Sequence, residues 1–251
     1  MSSLFRYASP VAFYPLAGRL VPWFSGLALL FAIGGLYLGL IVAPPDWQQG
    51  ETYRILFIHV PSAWMSMFIY FVMAGYAVLT LTLQTRLSAL MMQALAPTGA
   101  LFAALALATG AFWGKPTWGA WWVWDARTTS TLLLLFLYLG YLALQNAFED
   151  VRRADRAGAL LVLVGTINLP VIYFSVRWWN TLHQGASISL TAAPSMARIM
   201  VTSMLLMSLA AWAYTIAVVL SRVRGKILWR ERSSQWVLEL LRDGRSDGVD
   251  S

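Results

Sequence analysis

The chain contains two histidines, His59 and His183, and they flank the densest cluster of tryptophans in the sequence. Neutral imidazole is a common axial ligand of haem iron, and two imidazoles on opposite faces give six-coordinate iron. Taken alone, two such histidines are more typical of groups that form hydrogen bonds at an interface. The residues around the two histidines are therefore needed to distinguish haem ligation from a purely structural role.

The tryptophan cluster occupies residues 113–124, holds five of the thirteen tryptophans and is followed directly by Asp125. If the residues after Trp118 are helical, the step of about 100° per residue places Trp118, Trp121 and Trp122 on one face. Indole rings offer wide flat faces with one N–H donor each, which suits a flat apolar partner. An aromatic belt at a membrane surface is the alternative, but belts usually spread over many helix ends. A platform of three indoles is therefore the favoured interpretation.

Charged residues accompany the cluster. The simplest role for Asp125 is the N-cap of the helix that follows, where its carboxylate opposes the helix dipole. Alternatively it orients an indole N–H or the side chain of Arg127. The cations Arg54, Lys115, Arg127 and Arg177 could pair with carboxylates of a bound ligand, because arginine offers a bidentate fork, or they could be ordinary interfacial charges.

The elements that must position these residues are membrane spans. The chain has 251 residues, of which 59% are hydrophobic and 12% charged, a composition typical of polytopic membrane proteins. Stretches long enough to cross a bilayer core of about 30 Å contain no Asp, Glu, Lys, Arg or His. They are residues 23–42, 61–83, 95–113, 129–147, 157–176 and 199–220. We therefore predict an all-α integral membrane protein with six transmembrane helices in one domain, residues 23–220.

The distribution of cations predicts the orientation of these spans, because Lys and Arg in short loops are retained in the cytoplasm. With both termini inside, thirteen of the eighteen cations are cytoplasmic. They are Arg6, Arg19, Arg86, Arg152, Arg153, Arg156, Arg222, Arg224, Lys226, Arg230, Arg232, Arg242 and Arg245. The tryptophan-rich loop 113–128, between the third and fourth helices, is then on the outer face. This topology explains the net charge of +7, so nucleic-acid binding is disfavoured.

Prolines predict three local features. Residues 1–22, with three prolines, are expected to form an irregular or interfacial cytoplasmic segment. Pro61 is expected at the first position of the second span, which leaves His59 at the mouth of that helix. Pro170 should kink the fifth span. After the last span, residues 221–251 form a cytoplasmic tail with a short amphipathic helix around Trp236.

Absent groups limit the possible mechanisms. The chain has no cysteine, so any cofactor is held non-covalently. Gly114-Lys115 is followed by Pro116, so the chain lacks a phosphate-binding loop and does not hydrolyse ATP by that route. Energy, if needed, must come from a partner. The apolar spans also lack the charged groups that ion-coupled carriers use.

The run from Trp118 to Asp125 resembles the tryptophan-rich WWD motif of the haem-handling proteins of cytochrome c biogenesis. Within that class, the length, the six spans and one outer histidine on each side of the motif resemble the haem exporter C family of the cytochrome c maturation system, whereas other members are longer and have more histidines. Residues 57–61 and 177–185 are similar to the two histidine loops of that family.

This resemblance implies a site and a role. His59 and His183 are the axial ligands of a non-covalent haem b, and the loop supports the haem plane through Trp118, Trp121, Trp122, Trp124 and Asp125. The protein is a carrier of the bacterial inner membrane, with its functional loops in the periplasm, rather than an enzyme. It delivers haem to a periplasmic haem chaperone, in a complex with an ABC-type ATPase and its membrane subunits.

Two other functions fit the residues. A permease subunit would export haem or another amphipathic molecule, and would tolerate loss of either histidine if its pathway lay elsewhere. A structural docking subunit would bind its partner through the aromatic loop without any pigment.

Overall fold

A computed structural model describes residues 7–183 and 193–246, and within them the chain is a bundle of α-helices. The helices are α1 (Pro10–Tyr37), α2 (Leu56–Thr82), α3 (Arg86–Trp118), α4 (Ala126–Ala147), α5 (Val151–Gly165), α6 (Asn168–Trp178), α7 (Arg198–Arg230) and α8 (Gln235–Ser246). A π-helical turn, Leu38–Val42, continues α1, and a 3₁₀ turn, Thr52–Ile55, precedes α2.

Six segments are long and apolar enough to cross a membrane: Pro10–Val42, Thr52–Thr82, Arg86–Trp118, Ala126–Ala147, Val151–Trp178 and Arg198–Arg230. The prediction of an all-α fold with six transmembrane helices is confirmed. The helices extend beyond the apolar stretches, because a helix that already exists continues into polar flanks at little cost. His59 and Arg127 consequently lie on helices rather than in loops.

Two predictions about prolines are wrong. The irregular lead-in up to residue 22 is helical from Pro10 onward, while residues 1–6 lie outside the described part of the chain. Pro10 occupies the start of α1, where its missing N–H costs nothing, and α7 packs against this helix. Pro61 lies inside α2, because the 3₁₀ turn starts the helix earlier. His59 is therefore in the first turn of α2.

The predicted kink near Pro170 is observed as a break in the fifth span. α5 ends at Gly165, and α6 begins at Asn168 after a short turn. The side-chain amide of Asn168 donates a hydrogen bond of 2.8 Å to the backbone oxygen of Ser130 in α4, which fixes the position of the broken helix. Because α6 is attached in this way, it holds the segment that leads to His183 against α4.

The core of the bundle depends on close helix contacts. Tyr138 of α4 is fully buried, and its hydroxyl donates a hydrogen bond of 2.6 Å to the backbone oxygen of Ser66 in α2. Its ring lies against Gly99 of α3, where a Cβ atom would come within 2.1 Å of the ring. Gly99 is therefore required for α3 and α4 to approach this closely.

The two ends of the bundle differ chemically. At one end, Asp155 of α5 accepts hydrogen bonds from Arg230 of α7 at 2.6 Å and from Gln93 of α3 at 2.9 Å. The predicted amphipathic tail helix is present as α8 at this end, and its Trp236 packs edge-on against Tyr14. The histidines and the tryptophan loop lie at the opposite end, around a cavity.

Candidate functional site

A cavity of about 320 Å³ brings together residues from five of the membrane-spanning segments and from the loops that follow α3 and α6. Its walls include both histidines, several indole rings and two cations. These residues are His59, His183, Trp64, Trp113, Trp118, Trp121, Trp122, Arg127 and Arg177. The two histidines are far apart in the chain, so the fold, and not the sequence, creates their proximity.

His59 is held against α3. Its Nδ1 atom lies 3.0 Å from the hydroxyl oxygen of Thr109, and its ring makes an edge-on contact with Trp113 at 5.6 Å. Gly110 allows this approach, because a Cβ atom there would be 3.1 Å from Cε1 of the imidazole. The imidazole is therefore packed on one side by helix α3 and faces the cavity on the other.

His183 is held by Asp125. Its Nδ1 atom lies 3.0 Å from Oδ2 of this carboxylate, and its ring lies 5.0 Å from that of Trp118. The other oxygen of Asp125 accepts a hydrogen bond of 2.8 Å from the backbone N–H of Thr128. The N-cap predicted for Asp125 is thus present, and the same carboxylate orients His183 rather than an indole N–H.

The electrostatics of this pair favour a neutral imidazole beside a charged carboxylate. Burial lowers the pKa of His183, and the hydrogen bond to Asp125 offsets only part of this effect. Burial acts to raise the pKa of Asp125, but the hydrogen bonds from Thr128 and His183 outweigh it and hold this pKa below its ordinary value. At neutral pH the Nδ1–H of His183 therefore donates to the carboxylate, which leaves Nε2 with a free lone pair.

The tryptophan loop is not the helix that was expected. α3 ends at Trp118, because Gly119 adopts a left-handed conformation with φ of +77°, and residues 119–125 are irregular. Trp118, Trp121 and Trp122 nevertheless all line the cavity. The helical geometry predicted for the platform is therefore wrong, although the three tryptophans line the same cavity.

The remaining tryptophan of the motif, Trp124, does not belong to the residues that line the cavity. Its side chain is 75% exposed and meets the ring of Trp122 edge-on at 5.3 Å. Within the described residues, the buried indole nitrogen of Trp122 has no hydrogen-bond partner. Trp122 therefore offers an unused donor, while Trp124 supports it from outside.

The predicted cations separate into two groups. Arg127 and Arg177 line the cavity, and among the described residues Arg127 makes only long hydrogen bonds, of 3.3 Å to the Ser175 hydroxyl and 3.5 Å to the Ile172 backbone oxygen. The guanidinium of Arg54 instead donates to Glu51 and to the backbone oxygens of Gly39 and Ala43, which ties the end of the first span to the 3₁₀ turn before α2.

Lys115 is exposed and donates to the backbone oxygen of Gly119 at 3.1 Å. Neither Arg54 nor Lys115 is among the residues that line the cavity. Of the predicted cations, Arg127 and Arg177 are therefore the ones that the fold brings next to the histidines.

Some residues that line or support the cavity were not predicted from the sequence. Thr109 and Trp113 are one helical turn apart on α3 and both contact His59. Both residues lie within the predicted third span, 95–113, but the sequence alone does not show that His59 of another helix packs against this face. Trp64 lies on α2 and also lines the cavity. Gln184 and Gly185 of the second histidine segment lie outside the described residues.

Comparison with known proteins places this arrangement in a family. The sequence model described as "Heme exporter protein C" matches residues 3–238. The chain is 44% identical to the heme exporter protein C of Escherichia coli strain K12 over 243 residues, which cover 95% of this chain and 96% of that protein. It is 45% identical to the heme exporter protein C of Haemophilus influenzae over 237 residues, covering 94% and 96% of the two chains.

A third relative is the heme exporter protein C of Bradyrhizobium diazoefficiens, with 43% identity over 240 residues. These residues cover 96% of this chain and 91% of that protein. The similarity therefore includes the whole membrane domain and both histidine segments.

Proposed function

Because this chain belongs to the haem exporter protein C family of the cytochrome c maturation system, we propose that it holds haem between His59 and His183 and delivers it to a periplasmic haem chaperone. The observation that carries this proposal is that both imidazoles face one cavity from different segments of the chain. A protein that used its histidines only as interfacial groups would not need to bring them together.

The chemistry of the cavity fits haem. Its volume of about 320 Å³ lies within the range of roughly 300–1,000 Å³ that small-molecule sites occupy. Three indole rings of the loop give flat apolar walls, and the indole nitrogen of Trp122, which has no hydrogen-bond partner among the described residues, provides a donor. Each histidine has its Nδ1 atom engaged by the protein, so that Nε2 is the nitrogen available to iron.

The cations of the cavity suit the acidic edge of haem b. Arg127 makes only long hydrogen bonds within the described residues, so its guanidinium retains donor capacity for a propionate. Arg177 lines the same cavity and adds a second positive charge. Both cations are required to neutralise two carboxylates in a partly apolar site.

Delivery follows from how the cargo is held. The chain contains no cysteine for covalent attachment. Haem held by two coordinate bonds and aromatic contacts can be released to another protein when these bonds and contacts break. Trp121 and Trp124 are 55% and 75% exposed at the edge of the site, where a chaperone can approach. Binding orients the haem for attachment to the chaperone, while the haem itself supplies the reactivity. The chain thus acts as a carrier rather than an enzyme.

The proposed partners are the periplasmic chaperone, an ABC-type ATPase and its membrane subunits. The sequence lacks a phosphate-binding loop, so a partner must supply any ATP-dependent step. The cationic end of the bundle is assigned to the cytoplasm and the cavity to the periplasm of a bacterial inner membrane.

Delivery is tested by measuring haem bound covalently to the chaperone in cells that express the full chain with its complex. We expect His59→Ala and His183→Ala to abolish haem attachment while the chaperone still co-purifies with the variants. Arg153→Ala, at the opposite end of the bundle, should leave attachment unchanged. Normal attachment in both histidine variants would favour a permease, and a wild-type complex without pigment would favour a docking subunit; either result contradicts the proposal.

A further inference from the structure

The two imidazoles of the cavity have unequal partners. His183 donates from Nδ1 to a carboxylate, Asp125, which is itself fixed by the N-cap of α4. His59 faces a neutral hydroxyl, that of Thr109 on α3. Both distances are 3.0 Å, so the difference lies in the charge of the partner and not in the geometry.

The direction of the His59 hydrogen bond follows from the proton of Thr109. The hydroxyl of Thr109 lies 2.6 Å from the backbone oxygen of Leu105, to which it donates, and 3.3 Å from that of Ala106. A hydroxyl has one proton, so its oxygen presents a lone pair to the imidazole. His59 must therefore carry its own proton on Nδ1, which leaves Nε2 free.

From these contacts we propose that Thr109 is the positioning residue of His59, and that its neutral hydrogen bond makes His59 the weaker haem ligand, the one that dissociates first when haem is handed over. This inference rests on the proposed function, because it assumes that both histidines ligate the haem. It specifies the order in which the two histidines leave the haem iron. His59 dissociates first and exposes its side of the haem to the chaperone, while His183 still holds the haem on the protein.

The physical reason is the basicity of the ligating nitrogen. A carboxylate that accepts the Nδ1–H draws the proton toward itself and increases electron density on Nε2, which strengthens the bond to iron. A threonine hydroxyl is a much weaker acceptor and fixes the ring orientation without this increase. The two histidines thus form one stronger and one weaker ligand for the haem iron.

The tautomers are tested without haem. The chain has two histidines, so selective ¹⁵N-histidine labelling of the apoprotein gives two sets of ring nitrogens. We expect protonated Nδ1 in both residues of the wild type. Thr109→Val, which removes the acceptor at similar volume, should shift one set toward a mixture of tautomers, and Thr109→Ser should restore it. Unchanged tautomers in Thr109→Val would overturn the role of Thr109.

The order of release is tested on the haem-loaded protein by the rate at which carbon monoxide replaces a ligand of ferrous haem. Thr109→Val should accelerate replacement on the order of tenfold, the lower limit for loss of an outer hydrogen bond to a ligand. Thr109→Ser should match the wild type. Asp125→Asn retains an N-cap residue but weakens the partner of His183, and should accelerate replacement less.

A larger acceleration in Asp125→Asn than in Thr109→Val would show that His183 is released first and would overturn the proposed order. The two experiments also separate the inference from the function on which it rests. If the wild type binds no haem, the proposed function fails, whereas the apoprotein tautomers still report whether Thr109 positions His59.

Discussion

Arg127 brings a positive charge to the wall of the cavity, and within the described residues it forms no salt bridge. We expect Arg127→Gln to lower haem affinity about tenfold or more, because a hydrogen bond to a charged group contributes about 1.5–3 kcal/mol. The measurement is haem titration of purified apoprotein.

The matched control is Lys115→Gln, which removes one charge from the same end of the bundle but not from the cavity wall. It should leave haem affinity within experimental error. Equal losses in both variants would mean that general surface charge, rather than a specific contact, attracts the haem.

Candidate site residues could be selected from the sequence only where the residue type is rare in the chain or its position is distinctive. His59 and His183 are the chain's two histidines, and Asp125 stands directly before an apolar span, so each could be identified without a structure. Thr109 could not, because its role depends on a hydrogen bond between two helices to a residue fifty positions away. Trp118, Trp121 and Trp122 were grouped on a single helix, whereas α3 ends at Trp118 and the other two lie in the irregular segment that follows; all three line the cavity.

At the scale of helices, the contact between α3 and α4 depends on Gly99. A Cβ atom there would lie 2.1 Å from the ring of the fully buried Tyr138, so Gly99→Ala should destabilise the bundle by about 1–3 kcal/mol, as overpacked cores do. Thermal unfolding in detergent should show a lower midpoint.

Gly75→Ala on α2 is the corresponding control, because among the described residues, apart from its own helical backbone, no atom lies within 4 Å of the added Cβ. Its unfolding midpoint should equal or slightly exceed that of the wild type, since alanine has the higher helix propensity. If the two variants unfold alike, the close approach of α3 to α4 is not a source of stability.

Helix number was predictable, but helix ends were not. The six apolar stretches are recognised by length alone, since a bilayer core of about 30 Å requires about 20 residues. Their ends depend on local geometry: the 3₁₀ turn that brings His59 onto α2, and Gly119, whose positive φ stops α3 inside the tryptophan run. These ends decide which side chains face the cavity.

The molecule as a whole has one cationic end and one end with the cavity, and the count of cations predicts that the end with the cavity faces the periplasm. This orientation can be measured directly, because the chain has no native cysteine. A membrane-impermeant thiol reagent added to spheroplasts should label Lys115→Cys. It should label Arg153→Cys, at the opposite end, only after the membrane is permeabilised. The reverse pattern would invert the topology and place the haem site in the cytoplasm.

The central claim is that His59 and His183 ligate one haem together, and the visible absorption spectrum of the detergent-purified protein, co-expressed with its haem chaperone, tests it most directly. We predict a six-coordinate low-spin haem in the wild type. His59→Ala and His183→Ala should each lose this haem or convert it to a high-spin form. A wild type without haem, or an unchanged low-spin spectrum in both variants, would contradict the assignment of the two ligands.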